Sequence, residues 1–571
     1  MKIQKTHNLQ LNSKTPNSTA PKESPITFKG AETFVQFLRF LDTNQAWGAT
    51  AVDLGCMVIP RTTVDFTRGP DAGFETMRRE SSGTVNHAMV GAYGLTAAWA
   101  LSRGLNSKFG IDAHKMFVSN DTNDFMSQIW HENLHIPKEE RFKKLFAETL
   151  SGVHAFNPDE AEAKNRGFVS LTADKEAFKE AQTILSEDFA TGKQKTAKEI
   201  QASKLKLQSI IARATGTEST FKLTKSLSEK TKETFSLKTM IDDMYSLSKS
   251  FTSDKVEAAF QEAKGELKSN KFVNKFKNFN KSVALVGGGL GVLVGCSVQP
   301  FNMYLTKKKT GKSGFVGVEG REPDKSKGFF GLKLATAGAF GYGILRSIGS
   351  PSQILGRIQF KGFTPTINQF KLVYGMTIMS RFLAARDKNE LRESTIKDTL
   401  GFANWLILGG FVSKLTAAGF EKMAKFKDNK FIRYNEAENG KSWFNWLTKS
   451  KIVSRDEVLY ETFKKAGIST IKDGKAMSFK EMMKELDKFA PELKAAAKSK
   501  IKYLNIIQLA GYVYSGVVLG FGIPKLNIAI TKSIENKRKV KAEASKTGNS
   551  SPSNAEILSS QPKPAVKLAG A

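Results

Sequence analysis

The sequence predicts a mainly α protein: a tandem-duplicated, membrane-associated helical unit with a charged helical insertion and a C-terminal helical region. Three observations predict it. Two stretches, 282–305 and 503–524, carry no charged residue over 24 and 22 positions, and about 20 apolar residues are enough to cross a bilayer. A set of short sequences occurs twice in the same order. No run of alternating polar and apolar residues favours strands.

The duplication rests on four pairs of short matching sequences. The hexamer G-C-x-V-x-P occurs at 55–60 and again at 295–300, and it holds both cysteines of the chain. AMVGAYG at 88–94 returns as ATAGAFG at 335–341. Gly-Phe pairs lie between these two markers, and Lys-x-Phe follows them, in both copies. We predict a duplicated unit at about 45–130 and 285–375, and such a repeat dictates the architecture.

Composition divides the chain into seven regions. The leader is rich in Lys, Asn, Ser, Thr and Pro and lacks the apolar core of a secretory signal. The inserted region combines Lys, Glu, Ser and Ala with scattered Leu, Ile and Phe, which is typical of amphipathic helices. The predicted regions are a disordered leader (1–30), a first repeat unit (31–156), a charged helical insertion (157–281), a second repeat unit with hydrophobic helices (282–420), a charged helical region (421–502), a hydrophobic helix (503–535) and a disordered basic tail (536–571).

Small residues at helical spacing predict close helix packing, as in a glycine zipper. Gly287, Gly291 and Gly295 are four positions apart and lie on one helix face, which lets two backbones approach closely in lipid. The corresponding positions of the first copy are Trp47, Ala51 and Gly55. The residues predicted to pack helices together are Ala51, Gly55, Gly91, Gly94, Gly287, Gly291, Gly295, Gly338 and Gly341.

The repeated hexamer is interpreted as the end of a packed helix. Gly allows close approach, Cys fills a small buried space, and Pro60 and Pro300 are expected to end their helices. Asp53 interrupts the first-copy helix where the second copy has Leu293. An unpaired acid inside lipid is costly, so Asp53 is either a functional group or a sign that this copy is not embedded; we favour the second interpretation.

The charge of the chain indicates an anionic partner. Lys and Arg number 87 against 55 Asp and Glu, a net charge of +32, which favours nucleic acid or an anionic bilayer surface. No zinc-finger spacing or RNA-binding motif is present, so nucleic acid is not the expected partner. We expect anionic lipids at a cytoplasmic membrane surface, and a protein partner for the charged helical insertion. Two cysteines make no disulfide framework.

One motif suggests metal chemistry. His131-Glu132-Asn133-Leu134-His135 matches H-E-x-x-H, and on a helix two His four apart can bind Zn²⁺ while the Glu acts as general base. This pattern resembles the zincin metallopeptidases. Ile136-Pro137 follows at once, so the helix is expected to end at about His135. No third ligand is marked, and the second copy has no equivalent, so no cofactor is assigned.

The functional expectation is a membrane-associated, integral protein that acts as a non-enzymatic scaffold or interaction protein. Two alternatives stay open. A duplicated bundle places a binding site between its repeats, so a small-solute transporter is the second hypothesis. A zinc metallopeptidase that uses Glu132, His131 and His135 is the third.

Overall fold

A computed structural model of the chain describes residues 29–43, 45–160, 165–190, 195–227, 234–263, 266–318, 322–362, 365–408, 410–423 and 430–546. Within these residues the protein is mainly helical, as predicted. The predicted leader lies outside them up to residue 28, and so does the predicted tail from residue 547 onwards. The helices form two parts, a bundle of long segments and a head of shorter amphipathic helices.

The bundle contains seven long helical segments within the described residues. Four of them consist of two helices each. The segments are α2 (Gln45–Asp53) with α3 (Ile59–Phe66), α4 (Pro70–Ala88) with α5 (Val90–Leu101), α13 (Lys271–Thr310), α14 (Lys327–Ile348), α16 (Ile367–Ala384), α17 (Lys388–Phe402) with α18 (Phe411–Glu421), and α23 (Pro491–Tyr514) with α24 (Ile523–Lys546). Short π-helical stretches join α2 to α3 (Leu54–Val58) and α23 to α24 (Ser515–Gly522). A third stretch, Ala403–Ile407, extends α17 before a 47° bend towards α18.

These segments run between a head end and a far end. α13 begins among the aromatic residues of the head, where the ring of Phe272 lies 5.3 Å from that of Phe109. It finishes beside the start of α4, where the Lys309 ammonium lies 4.8 Å from the Phe74 ring. The far end is defined by three connections: the turn 67–69, the loop after Thr310 and the turn 385–387.

Three described helices are long and apolar enough to cross a membrane: Lys271–Thr310, Lys327–Ile348 and Pro491–Glu543. The bent pair Lys388–Ile407 and Phe411–Glu421 would add a fourth span if it crosses as one unit. Their outer faces are apolar and exposed, since Leu293 on α13, Tyr342 on α14 and Val517 in the last segment are each more than half exposed. Two of these helices contain the predicted uncharged stretches 282–305 and 503–524.

Neither hexamer proline ends its helix, so that prediction was wrong. Pro300 lies inside the 40-residue helix α13, and the Ser380 hydroxyl donates to the Cys296 carbonyl at 2.8 Å. That is the carbonyl which a proline at 300 leaves without its helical partner. Pro60 follows the π-helical stretch Leu54–Val58, and a side chain at Gly520 would collide with the Cys56 carbonyl. Neighbouring segments therefore accommodate both breaks.

The head joins the two charged regions that the sequence analysis treated separately. Its core is aromatic, and Trp130 stacks on Phe251 at 4.8 Å. The Ser209 hydroxyl bonds to Thr470 at 2.7 Å across 261 positions. Its helices, with the short α1 and α15 beside the bundle, are α1 (Lys29–Thr43), α6 (Arg103–Phe109), α7 (Asn120–Glu132), α8 (Lys138–Ser151), α9 (Lys175–Phe189), α10 (Ala197–Thr215), α11 (Leu237–Phe251), α12 (Asp254–Gln261), α15 (Ile354–Arg357), α19 (Glu436–Asn439), α20 (Trp443–Lys449), α21 (Arg455–Lys465) and α22 (Phe479–Glu485).

Short antiparallel strands also occur in the head, where the sequence showed no strand pattern because each strand has only two to four residues. One sheet has the order β2-β1-β3, a two-stranded sheet pairs β4 with β5, and a hairpin pairs β6 with β7. The strands are β1 (Val153–Phe156), β2 (Phe168–Ser170), β3 (Phe221–Leu223), β4 (Ile432–Arg433), β5 (Lys451–Ile452), β6 (Ile471–Lys472) and β7 (Lys475–Ala476).

The chain ends of the described part depart from the predicted regions. α1 already begins at Lys29, inside the predicted leader, and the Arg39 guanidinium pairs with Asp456 of the head at 2.9 Å. α24 continues to Lys546, through the first part of the predicted tail. The exposed Lys and Arg side chains of this last stretch extend from the far end of the bundle.

Candidate functional site

α4 carries a polar stripe into the middle of the bundle. Glu75 and Arg79 are four positions apart, and Glu80, Thr84 and His87 follow one another at spacings of four and three, so each set lies along one side of the helix. All five residues are buried. Polar groups in such an interior need partners, because an unpaired charge in a medium of low dielectric is costly. Some partners come from the preceding segment, such as Arg61 and Asp53, and others from segments about 300 positions further along the chain, such as Arg381.

Glu80 lies at the centre of the site. Its carboxylate is 3.1 Å from the Arg381 guanidinium, 3.0 Å from the Lys397 ammonium and 3.4 Å from Arg61. Arg79, its neighbour in sequence, approaches to 3.4 Å. One carboxylate therefore links α3, α4, α16 and α17.

Asp398 is the second acid of the centre. Its Oδ1 lies 3.2 Å from Nη1 of Arg61 and 3.2 Å from Nη1 of Arg381. We refer to the side chains that meet here as the ionic network. Its members are Arg61, Arg79, Glu80, Arg381, Lys397 and Asp398.

The ionic network carries more cations than anions. Four cations face two carboxylates, a formal net charge of +2, and each of the six residues is less than 10% exposed. Several polar atoms of the network lack a hydrogen-bond partner within the described residues, namely Nε of Arg61, Arg79 and Arg381, and Oδ2 of Asp398. The network therefore has unused donors inside the bundle.

A second group of ion pairs lies between the ionic network and the far end. Arg386 pairs with Glu75 at 2.5 Å and with Glu390 at 2.9 Å. Arg68 pairs with Glu393 at 2.5 Å, and Asp65 is 3.6 Å away. We refer to these six residues as the mouth. Its two cations face four carboxylates, so its formal charge of −2 offsets the +2 of the ionic network.

A narrow cleft connects the mouth with the network. Its lining includes Glu75, Arg79, Ser394 and Lys397, and its volume is about 20 Å³, enough for about one water molecule. The Phe315 ring covers the cleft, with the Arg68 guanidinium at 5.3 Å and that of Arg386 at 5.7 Å from the ring centre. The cleft between the mouth and the ionic network is thus closed to anything larger than water in this conformation.

Polar contacts continue from the ionic network towards the middle of the bundle. The Thr84 hydroxyl donates to Asp53, and Nε2 of His87 lies 3.4 Å from the same carboxylate. Asp53, which the sequence analysis took as a sign that the first copy is not embedded, therefore has two partners on α4. Beyond it, the Asn86 amide donates to the Gly291 carbonyl at 3.2 Å, and the Tyr93 hydroxyl donates to Asn86 at 2.9 Å.

The glycines predicted for helix packing fall into two groups. Gly287, Gly291 and Gly295 all lie against neighbouring helices. A Cβ added at Gly287 would lie 3.1 Å from Gly94 Cα on α5. A Cβ added at Gly291 would lie 2.8 Å from Val373 Cγ2, and one added at Gly295 would lie 2.6 Å from Thr377 Oγ1, both on α16. Gly94 itself faces the Phe360 ring, and a Cβ at Gly341 would lie 2.8 Å from the Met379 sulfur. Gly91 is buried and Ala51 half-buried, while Gly55 and Gly338 face open space.

The H-E-x-x-H segment lies at the end of a helix, so its two histidines do not both lie on that helix. α7 ends at Glu132, three residues before His135, which lies beyond the helix in the following turn. Ser119 caps the start of α7 by accepting the N–H of Thr122. Glu132 accepts a bond from Gln128 at 2.8 Å. No group of three or more His, Cys, Asp or Glu in the described part of the chain is placed to hold a metal ion.

Arg141 accounts for the geometry of that helix end. Its guanidinium donates to the carbonyls of Asn133, Leu134 and Ile136, each at 3.0 Å, and pairs with Glu257 at 2.6 Å. These carbonyls lie in the turn that follows α7, and the Asn133 carbonyl also accepts the N–H of Ile136. Arg141 therefore holds the turn against α12 through Glu257.

We found no match to this chain among protein families, curated proteins or solved structures. The site therefore has to be interpreted from its own geometry. Sequence reasoning missed it, although one signal was present: the polar side chains at 75, 79, 80, 84 and 87 recur at helical spacing immediately before the apolar repeat marker at 88–94.

Proposed function

We propose that the protein is an integral membrane transporter of a small solute and that the ionic network is the part of the pathway that opens and closes at the far end. One observation carries the proposal. Ionisable side chains from the first and the second predicted repeat meet inside a bundle whose outer faces are apolar. Ionisable groups within a membrane are costly and are retained where they serve a pathway or a relay.

The location of the network supports a pathway between two halves. Arg61 and Glu80 belong to the first predicted repeat unit (31–156), whereas Arg381, Lys397 and Asp398 belong to the second (282–420). Transport proteins that arose by duplication hold their sites at the interface of the repeats, and one half moves against the other. Ion pairs that connect the halves suit such a motion, because they can separate and form again without a change in net charge.

The proposal includes the tandem duplication. Each predicted copy has a long helix with the hexamer, a second long helix with the glycine marker, a short extended stretch and a third helix. The contacts differ between the copies: α3 packs along α4 in the first, whereas α14 packs along α16 in the second. An exchange of partners of this kind is compatible with divergence of the two halves after duplication.

The closed cleft determines what has to change during transport. A cleft of about 20 Å³ admits water but no organic solute, so the conformation described is occluded at this cleft. Opening requires separation of the Arg68–Glu393 and Arg386–Glu75 pairs and displacement of the Phe315 ring.

Thiol labelling in a cysteine-free background tests this proposal. Cys56→Ala and Cys296→Ala remove both native thiols, and Ser394→Cys then places one thiol in the cleft. In sealed proteoliposomes we expect a membrane-impermeant maleimide to label position 394 slowly from the far side. Glu80→Gln should accelerate this labelling, because it weakens the closed network.

A flux assay completes the test. Vesicle shrinkage is followed with sugars, amino acids, dicarboxylates, phosphate and inorganic ions, and at least one class should cross faster than in protein-free vesicles. The transporter proposal fails if no class does so and position 394 stays unlabelled from both sides. Release of the protein from membranes by alkaline carbonate would defeat membrane insertion itself.

The scaffold hypothesis is the second candidate, and one observation favours it. Trp443 and Phe444 on α20 are 63% and 58% exposed on the head, and aromatic side chains are enriched where proteins bind each other. A photo-crosslinking side chain at position 443 tests this function in cells. One discrete crosslinked protein would favour a scaffold at the cytoplasmic surface, and crosslinks to lipid alone would contradict it. The described residues offer no support for the zinc peptidase.

A further inference from the structure

A basic groove lies at the far end of the bundle, separate from the ionic network. It has a volume of about 450 Å³, which falls in the range of small-molecule sites. Its walls are the end of α13 near Met303, the segment 323–326, the first two turns of α14 and the turn 384–386. It is therefore open to the solvent at the level where two candidate membrane spans end.

Three lysines give the groove its charge. Lys325 and Lys327 are exposed, and neither has a carboxylate within ion-pair distance among the described residues. Lys333 is half-buried, and its ammonium donates to the Ala385 carbonyl at 3.3 Å. Arg386 also lines the groove but is already paired with carboxylates of the mouth. Among the described residues that line the groove, Asp324 is the single one with a carboxylate.

The start of α14 adds to the positive potential of the groove. Ser326 caps the helix by accepting the N–H of Phe329, and the first N–H groups of a helix carry partial positive charge that attracts anions. This contribution is secondary to the three ammonium groups, which carry full charges.

The surface next to the groove is apolar. Phe330 lines the groove and is 58% exposed, and Leu334 continues its face one turn further along α14. On α13, Phe301 and Tyr304 are exposed to a similar extent. A ligand that fits this surface has an anionic group for the lysines and an apolar chain for α13 and α14.

We propose that this groove binds the phosphate headgroup of an anionic membrane lipid, with the acyl chains along the exposed faces of α13 and α14. Free phosphate shares the headgroup chemistry but makes no use of the apolar surface, which is the reason for choosing a lipid. The proposal rests on the membrane insertion included in the proposed function, and it is independent of whether the protein transports a solute.

The test compares two triple variants of the full-length protein in detergent. Lys325→Gln, Lys327→Gln and Lys333→Gln remove the charge of the groove. Lys537→Gln, Lys539→Gln and Lys541→Gln remove the same charge from exposed positions of α24 and serve as the matched control. Native mass spectrometry measures the affinity of each protein for phosphatidylglycerol, phosphatidylcholine and inorganic phosphate.

We expect the unmodified protein to retain one phosphatidylglycerol in preference to phosphatidylcholine. The groove variant should lose affinity by roughly 10- to 100-fold, since each cation near an anionic surface contributes appreciably, whereas the control should stay within about threefold. If both variants lose the same affinity for phosphatidylglycerol, the lipid is held by the overall positive charge of the protein and not by the groove, which would overturn the proposal. Inorganic phosphate that binds as tightly as the lipid would also overturn it, in favour of a free-anion site. If alkaline carbonate extracts the protein from membranes, membrane insertion itself is refuted. This result distinguishes failure of the proposed function from failure of lipid binding in the groove alone.

Discussion

Arg61 and Asp398 are 337 positions apart in the chain, yet Nη1 of the arginine lies 3.2 Å from Oδ1 of the aspartate inside the bundle. Arg381 shares the same carboxylate oxygen at 3.2 Å. The pair ties a segment from the beginning of the chain to one from its second half, and both side chains are almost completely buried. Burial of this kind is seldom a net gain in stability, because desolvation offsets much of the attraction. The network therefore suggests a role beyond holding the fold.

The first prediction concerns Glu80. Replacement by Gln leaves four buried cations with the single carboxylate of Asp398, and breaking a buried pair on one side costs about 3–5 kcal/mol. We expect Glu80→Gln to lower the free energy of unfolding by that amount, measured by thermal or denaturant unfolding in detergent. Glu262→Gln is the matched control, because the Glu262 side chain is 61% exposed and pairs with an exposed lysine. If the two substitutions lower the free energy of unfolding equally, the ionic network contributes no more to stability than an exposed ion pair does.

A second prediction uses two glycines of the same helix. At Gly291 an added Cβ would lie 2.8 Å from Val373 Cγ2 and 3.2 Å from Tyr93, so Gly291→Ala should destabilise the protein by about 1–3 kcal/mol through overpacking. At Gly289 no atom lies within 4 Å of that position. Gly289→Ala should therefore be neutral or stabilise by up to about 1 kcal/mol. Matching losses in both variants, measured as shifts in Tm, would contradict close packing along this face.

The long apolar helices could be predicted from the sequence because their signal is local. An uncharged run such as 282–305 specifies a buried or lipid-facing helix without reference to the rest of the chain. The hexamer prolines were misread for the opposite reason. Whether a proline ends a helix depends on whether another group donates a hydrogen bond to the carbonyl that the proline leaves free. The donor to the Cys296 carbonyl is Ser380, which is 84 positions away in the sequence.

The candidate site could be predicted only in part. The polar stripe on α4 has a helical period that is visible in the sequence, but periodicity alone does not distinguish a solvated face from a buried one. Burial follows from Arg381 and Asp398, whose approach to Glu80 and Arg61 depends on the tertiary packing of distant segments. The same holds for the head, where Thr217 bonds to Glu457 across 240 positions and unites regions that composition alone had separated.

The third prediction concerns the H-E-x-x-H segment. Arg141 satisfies three carbonyls in the turn after α7, and removal of a buried donor leaves such groups unpaired at a cost of about 1–3 kcal/mol or more. Arg141→Gln should therefore lower the Tm, whereas Glu132→Gln at the exposed side should change stability by less than about 0.5 kcal/mol.

A metal chelator provides an independent check of the same segment. If no zinc is bound here, excess EDTA should leave the Tm of the purified protein unchanged, and metal analysis should find no stoichiometric zinc. A large drop of Tm with EDTA that Glu132→Gln or His131→Ala abolishes would show a metal site and contradict the helix-end interpretation.

The last prediction concerns pH and lies in the head. Burial, reinforced by the negative charge of Asp456, raises the pKa of Glu218 to about 7, although Gln208 donates to its carboxylate at 3.0 Å. Glu457 and Tyr460 of α21 also face it. The folded protein then holds a proton that the unfolded chain has already released above about pH 4.5. Stability due to this group is therefore present below pH 4.5 and is lost as the pH rises to about 7.

Glu218→Gln isolates that contribution, because Gln is neutral at every pH and still accepts the bond from Gln208. Between about pH 4.5 and 7, we expect the free energy of unfolding of the variant to rise relative to that of the unmodified protein. Above pH 7 the variant should be the more stable of the two by at least about 1 kcal/mol. Denaturant unfolding at pH 5, 6, 7 and 8 measures the difference. The stability of Glu262→Gln should change with pH in the same way as that of the unmodified protein, since the Glu262 carboxylate is exposed. If the two proteins instead differ by a constant free energy of unfolding from pH 5 to pH 8, Glu218 is already ionised in the folded head. Burial and Asp456 then do not raise its pKa.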